Sequence, residues 1–293
     1  MTDTILLIGH GSREAEGNDE IQAFVAQWRQ RQPTWQIEVC FIEFAEPGLH
    51  DGLLAAARHA RRVLVLPLIL NAAGHVKMEI PEAIEHTREH APGTEFLYGP
   101  HLTACDPILA ILKRRLAEAM AELDMPDPTT TGVVVLGRGS SDRQANGEMA
   151  KMARWLHEET RHELVDLAFT GITYPRLERV AQRQAMLGMK QIVVLPYYLY
   201  TGTLVQRIAR QVEHLRLQYP TIRFASTAHF GHEREIFELM EQRVRELRSG
   251  VPQARLPCDG CKFREIAHDL GHGHSHEHTH VPIAALPVNA VAA

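Results

Sequence analysis

Cysteine is scarce in this chain, with four residues in 293, and aromatic residues make up only 6%. Four thiols cannot staple a secreted scaffold, so stability has to come from an apolar core. Positive charge is also short, with 31 Lys and Arg against 36 Asp and Glu and a net charge of −5. That balance provides no chain-wide field for gathering nucleic acid. No apolar run approaches the roughly 20 residues needed to cross a bilayer. The opening MTDTILLIGHGS enters a short apolar run without a basic leader. A cytoplasmic protein with no membrane and no nucleic-acid partner is therefore expected. Nucleotide and hydrolase signatures are missing as well. There is no G-x-x-x-x-G-K-[ST], Glu14 stands where a G-x-G-x-x-G would need its third glycine, and no G-x-S-x-G elbow occurs.

Against these absences, 45% of the residues are apolar, enough for one large core or two of ordinary size. Histidine is in excess, with 18 residues, and five of them (His272, His274, His276, His278 and His280) crowd into one short tract. The chain also repeats itself. Thr4-Ile-Leu-Leu-Ile-Gly-His-Gly-Ser12 returns as Gly132-Val-Val-Val-Leu-Gly-Arg-Gly-Ser140, and the same shift carries Pro47 onto Pro175 and His101 onto His229. Pro67 lands one residue short of Pro196. Anchors in one order at one offset mark an internal duplication.

Within each copy, short apolar runs alternate with longer amphipathic ones. Strands are expected near 4–8, 36–43, 63–68 and 95–98, with helices near 16–30, 49–60, 77–90 and 106–123. The second copy repeats this with strands near 132–136, 164–171, 191–197 and 223–226, and helices near 146–160, 176–187, 204–218 and 233–248. Runs such as Val63-Leu-Val-Leu-Pro-Leu-Ile-Leu70 are apolar throughout, which suits parallel strands covered on both faces. The predicted class is α/β, with two similar lobes, each a four-stranded parallel sheet flanked by helices, and a flexible C-terminal tail. Expected boundaries are 1–125 for the first lobe, 132–248 for the second and 249–293 for the tail. The join, Asp124-Met-Pro-Asp-Pro-Thr-Thr-Thr131, has the proline and polar content of a linker.

Open parallel sheets collect ligands beyond the carboxyl ends of their strands, where the strand order reverses. Three ionisable side chains of the first half fall at such ends. His10 follows strand one, Glu43 follows strand two, and His75 follows strand three in Asn71-Ala-Ala-Gly-His75. With a 2-1-3-4 strand order the two imidazoles would face each other. Two imidazoles and a carboxylate suit holding a divalent metal, moving protons, or both. The corresponding positions of the second half hold Arg138, Gly171 and Thr203, so all three groups are lost together. One working site and one degenerate copy are expected. Ser12 also admits a simpler role, as the N-cap of the first helix.

The GHGS strand end, the Glu after strand two, the second His after a proline-containing third strand and the duplicated lobes together resemble the class II tetrapyrrole chelatases. The likeness is to the long sirohydrochlorin cobaltochelatases of anaerobic cobalamin synthesis, with the sirohydrochlorin ferrochelatases as near relatives, and it covers about residues 4–248. It implies that His10 and His75 handle the metal and accept protons, that Glu43 assists them, and that the lobes clasp a tetrapyrrole. Co(II) would be the substrate metal, and Fe(II) the rival. Because sirohydrochlorin carries many carboxylates, Ser12, Arg13, Lys77, Arg138 and Arg207 become candidate substrate-binding residues.

The tail extends the resemblance, since long cobaltochelatases often carry a His-rich tract and a Cys-x-x-Cys element. The five alternating His can gather borderline metal ions. Cys258 and Cys261 could hold half an iron–sulfur cluster, or zinc with His268. A non-catalytic cobalt or nickel carrier or store, with the tail as its working part, is the reading from a different class. A monomer or homodimer is expected. The remaining histidines, His101 and His229 apart, read as surface residues.

Overall fold

A computed structural model describes residues 3–123 and 127–250. Eight parallel strands form two sheets. The first contains β1 (Thr4–Gly9), β2 (Gln36–Phe41), β3 (Arg62–Pro67) and β4 (Glu95–Tyr98) in the order β2-β1-β3-β4. The second contains β5 (Thr131–Gly137), β6 (Val165–Phe169), β7 (Gln191–Pro196) and β8 (Arg223–Ser226) in the order β6-β5-β7-β8. Every residue of β1 and β5 is buried, as the unbroken apolar runs require when helices cover both faces. The helices are α1 (Ala15–Arg31), α2 (Leu49–His59), α3 (Ile80–His90) and α4 (Asp106–Ala121) in the first lobe. In the second they are α5 (Arg143–Glu158), α6 (Leu177–Met186), α7 (Thr203–Gln218) and α8 (Arg234–Ser249). The expected two-lobed α/β architecture and strand order are thus observed. The start of the linker and the whole tail beyond residue 250 lie outside the described residues, and with them the Cys258/Cys261 pair and the His tract.

The duplication extends to individual hydrogen bonds. Asn18 accepts from the Ser12 N–H at 2.8 Å and donates to the Ser12 carbonyl at 2.8 Å. Asn146 does the same to Ser140 at 2.9 and 2.8 Å. Positive φ recurs at Gly11 and Gly139, at Phe44 and Ile172, and at Thr103 and Gly231.

One helix departs from expectation. In place of a helix beginning at residue 77, His75–Glu79 forms a single π-turn that runs straight into α3. Pro81 supplies the reason, because it lacks the N–H that an α-ladder would donate four residues back. The second lobe has no proline at the start of α7, and that helix is regular from Thr203.

One apolar core is shared by the lobes, and each lobe has a further cluster of its own on the other face of its sheet. Phe24 and Trp28 of α1, Leu109 and Leu112 of α4, Met149 and Met152 of α5, and Phe237 and Met240 of α8 belong to one apolar cluster. Phe24 stacks on Phe237 with ring centroids 4.1 Å apart. Burying side chains of this size stabilises by about 1.5–3 kcal/mol each. The charges around this core alternate by lobe. Arg31 pairs with Glu241 at 3.1 Å, and Lys113 pairs with Glu159. The duplication superposes Arg31 on Glu159 and Lys113 on Glu241. Two first lobes docked this way would set Arg31 against Lys113, and two second lobes would set Glu159 against Glu241. Exposed pairs stabilise little, but this arrangement selects unlike lobes over like ones.

Loops that follow the strands of each lobe also reach the first helix of the other. Glu20 accepts from the Thr201 N–H at 2.8 Å and lies 3.1 Å from His229 Nε2. On the opposite side Glu148 accepts from Thr103 Oγ1 at 2.9 Å and the Ala104 N–H at 3.0 Å, with His101 buried nearby. Burial pushes the His101 imidazole from 6.5 down to about 4, despite the neighbouring carboxylate. Unfolded chain therefore takes up a proton near pH 6.5, whereas folded protein resists until about pH 4. The sign is fixed: stability is complete above pH 6.5 and falls toward pH 4, by roughly 3 kcal/mol from this group. Denaturation midpoints measured across that window should drop as pH falls, and His101→Gln should flatten part of the slope. An unchanged slope in the variant would remove His101 as its source.

Candidate active site at the strand ends of the first lobe

Where β1 ends, the chain turns through Gly9-His-Gly-Ser12. Gly11 has φ +86°, and a Cβ there would sit 1.7 Å from the Glu43 carbonyl oxygen. Only glycine lets the His10 loop lie against the backbone after β2. The contact extends the ladder beyond the strands, with the Ile42 N–H donating to Gly9 at 3.0 Å and the Glu43 N–H to His10 at 3.1 Å. Glu43 is therefore two residues past the end of β2, in a loop held against His10. His75 arrives from the other side. β3 is the neighbour of β1, and the loop after it delivers His75 as the first residue of the π-turn.

These steps bring His10, Glu43 and His75 together. One ligand atom from each lies within 4.8 Å of the others, and no other group of three or more His, Cys, Asp or Glu meets that condition among the described residues. The imidazoles meet edge to face with centroids 4.7 Å apart. Glu43 Oε1 lies 3.6 Å from His10 Nδ1. The same Nδ1 is 3.0 Å from the Gly11 carbonyl, an obligate acceptor, which places the imidazole proton on Nδ1. Nε2 of His10 is left buried and without a hydrogen-bond partner. An imidazole held by one nitrogen with the other free is the usual state of a metal ligand or proton acceptor. Burial lowers the His10 pKa first, with the His75 and Arg138 charges acting in the same direction, against the Gly11 hydrogen bond and Glu43. The ring therefore stays neutral at pH 7. On the far side of His75, Glu79 approaches Nδ1 at 2.9 Å without hydrogen-bond alignment. Glu79 carries no signal that strand-end reasoning could have used, since it depends on the π-turn.

The set opens into a cavity of about 670 Å³ between the lobes. Ser12, Arg13, Arg138 and Arg207 line it, as the sequence suggested, and so does Thr203. Arg13 lies over the Phe44 ring at 4.8 Å. Phe44 and Ile172 occupy matching loop positions in the two lobes, both line the cavity, and they are 50% and 57% exposed. Tyr197, Tyr198, Leu199 and Tyr200 form the second-lobe wall. Burial raises the Tyr198 hydroxyl to about 12, and it shares a 2.8 Å hydrogen bond with Thr170. Ser12 is not the N-cap of α1. That position is Glu14, whose N–H donates to Ser12 Oγ at 3.1 Å.

Lys77 is the one candidate that the structure redirects. Its side chain does not line the cavity. It is buried between the lobes, 2.5 Å from Asp142 Oδ2 and 2.7 Å from Gln144 Oε1 at the start of α5. His75 faces the cavity while Lys77, two residues on and about half a turn round the helix, faces the second lobe. Sequence periodicity had no means of showing this. The two remaining described cysteines, Cys40 and Cys105, are free. Burial drives the Cys40 thiol up to about 12, which makes it inert.

Fold and site together define a duplicated open-sheet protein with a histidine–carboxylate set at the strand ends of one lobe, facing a cleft. The family model described as CbiX matches residues 4–119 and again 132–247. The chain belongs to the CbiX family. It is 36% identical to the sirohydrochlorin cobaltochelatase of Priestia megaterium over 89% of this chain and 84% of that protein. It is 30% identical to the sirohydrochlorin ferrochelatase of the same organism over 84% and 91% of the two chains. Among solved structures, SirB from Bacillus subtilis subspecies spizizenii in complex with cobalt, a sirohydrochlorin chelatase, has a TM-score of 0.71 at 25% identity. That match covers 86% of this chain and 97% of the other. SirB from Bacillus subtilis with Fe3+ has a TM-score of 0.72 at 27% identity over 84% and 96%.

Three outcomes follow from the geometry. His10→Ala or His75→Ala should weaken Co(II) binding at the cavity by at least tenfold in a d–d absorption titration, and should leave the circular dichroism spectrum unchanged. Because burial depresses the His10 pKa, protons should compete with Co(II) for His10 less than they do for an ordinary imidazole as pH falls, which Co(II) titrations at a series of pH values check. Lys77→Met takes the ammonium away from a buried carboxylate and should cost roughly 3 kcal/mol, with part recovered in Lys77→Met/Asp142→Asn. Full stability of the single variant by urea denaturation would rule out the ion pair as a lobe tie.

Proposed function

We propose that the protein is a sirohydrochlorin cobaltochelatase, a lyase-type enzyme that inserts Co(II) into sirohydrochlorin with release of two protons. The observation that carries this reading is the convergence of His10, Glu43 and His75 on the cavity of about 670 Å³ between the lobes, with Arg138 standing where the second lobe would repeat His10. The identity to a cobaltochelatase over most of both chains supports it.

The chemistry asks three things of the site. The incoming ion must exchange its waters for ligands that will release it again, and imidazole is a borderline ligand suited to that. Two pyrrole protons must leave. His10 Nε2 is neutral and unpartnered, so it can take up a proton or hold the ion, and His75 faces it for the complementary role. Glu43 stabilises the imidazolium that forms and passes charge toward the open side of the cleft. Finally the macrocycle must be held by its rim. Arg13, Arg138 and Arg207 are the cationic side chains of the cavity lining, and their planar guanidinium groups suit carboxylates. Phe44 and Ile172 offer apolar contact to the ring from opposite lobes.

Insertion of Fe(II) is the second reading, favoured by the ferrochelatase relative at 30% identity. The same three residues serve either ion. Cys258, Cys261 and the five-histidine tract are proposed to gather metal ahead of insertion, with an iron–sulfur cluster or zinc as possible occupants of the cysteine pair.

An anaerobic spectrophotometric assay with sirohydrochlorin and Co(II), Fe(II) or Ni(II) tests the proposal. Co(II) should give the largest rate, and His10→Ala or His75→Ala should reduce it by about a hundredfold or more. A His10→Ala/His75→Ala variant at full rate would dismiss the site. Removing residues 258–293 should leave insertion near normal at saturating metal. Absence of any metal-dependent absorbance change in the whole protein would favour the carrier.

A further inference from the structure

Three histidines that take no part in the cavity meet on the outer face of the first lobe. His86 and His90 are one turn apart on α3, with ring centroids separated by 4.6 Å. His50, from the first turn of α2, brings its ring to 5.3 Å from that of His86 at an interplanar angle of 80°. All three residues are exposed. Packing therefore does not explain why the rings gather.

Metal chemistry does. Two histidines four residues apart on a helix project from one face, the spacing with which helical zinc sites chelate their ion. The tautomer is also set. His90 Nδ1 lies 2.9 Å from the His86 carbonyl oxygen, which can only accept, so Nδ1 bears the proton and Nε2 keeps its lone pair. The pair occupies the last turns of α3, where unpaired carbonyls favour a cation. The cation nearest in sequence, Arg88, points elsewhere and is engaged by Glu85 at 2.5 Å and by the Phe96 carbonyl at 3.0 Å. The second lobe shows that the fold does not need the cluster. There Glu178, His214 and Gln218 occupy the matching positions, and Glu178 accepts a hydrogen bond from Gln211 at 2.7 Å.

We propose that His50, His86 and His90 form a second metal site for a borderline divalent ion such as Co(II), Ni(II) or Zn(II). His86 and His90 are its chelating pair, and His50 is a third ligand from the neighbouring helix. Their rings are not yet within a single coordination radius, so ligation draws the exposed side chains together. The site is separate from the cavity. His75 and His86 lie eleven residues apart on one continuous helical segment, a distance of about 16 Å at 1.5 Å per residue. With at most three protein ligands and open water positions, the ion should exchange readily, as suits a capture point on the lobe that houses the cavity.

Crystals of the full chain soaked in Co(II) and measured at the cobalt absorption edge provide the test. Two anomalous peaks are expected on the first lobe, one among His10, Glu43 and His75 and one against His86 and His90. His86→Ala/His90→Ala should abolish the outer peak and keep the inner one, and His50→Ala should lower the outer occupancy. In solution, Zn(II) added to protein with 15N-labelled histidine should shift the His86 and His90 imidazole signals saturably. His50→Ala should raise the concentration needed by about three- to tenfold. A cavity peak alone in the unaltered protein, or an outer peak that survives the double variant, would overturn the proposal. So would His86 and His90 signals that stay fixed while those of His10 and His75 move.

Discussion

The shared apolar core between the lobes is the constraint on which the rest of the structure depends. Phe24, Trp28, Leu109, Met149, Phe237 and Met240 are buried in one cluster that belongs to neither lobe alone. Because α1, α4, α5 and α8 meet there, the strand ends of both sheets open on one cleft. Without that packing the first lobe would present His10, Glu43 and His75 to bulk water, and the arginines and tyrosines of the second lobe would not form the opposite wall. The buried Lys77–Asp142 pair sets the same relation at closer range. It attaches the π-turn that carries His75 to the start of α5, so His75 is positioned in part by the other lobe.

Duplication followed by division of labour accounts for the asymmetry. The loop framework is preserved in both copies, down to the paired Ser12–Asn18 and Ser140–Asn146 hydrogen bonds and the matching positive φ at Phe44 and Ile172. What differs is the chemistry mounted on it. Arg138, Gly171 and Thr203 put a cation, a bare backbone and a small hydroxyl where the first lobe has His10, Glu43 and His75. The reversal of charge between Arg31–Glu241 and Lys113–Glu159 has a parallel effect on assembly, since each lobe is complementary to the other and not to a copy of itself. A symmetric pairing of like lobes would have two equivalent histidine–carboxylate sets; among the described residues there is one.

Most of the fold was legible from residue pattern because parallel strands buried on both faces leave an unmistakable run of apolar residues, and the second copy checked the first. Strand bounds agreed to within one or two residues at most positions. The site was legible for a related reason. His10, Glu43 and His75 each follow a strand, and the 2-1-3-4 order brings the ends of those strands together. Lys77 shows the limit of that reasoning. Two residues from His75, it faces the second lobe while His75 lines the cavity, as positions two apart on a helix do. Asn18, Glu79 and the His50–His86–His90 cluster lay outside it as well, because none of them directly follows a strand.

The sequence by itself determined the element order, the repeat, the strand-end placement of the ligand set and its absence from the second half. These are properties of local periodicity and of side-chain type, which the chain carries wherever it goes. Only the tertiary structure decided which basic residues face the cleft, what holds the lobes together and which histidines are neighbours. Those outcomes depend on the direction of a side chain across a helix or an interface, and a single close backbone contact, as at Gly11, is enough to change it.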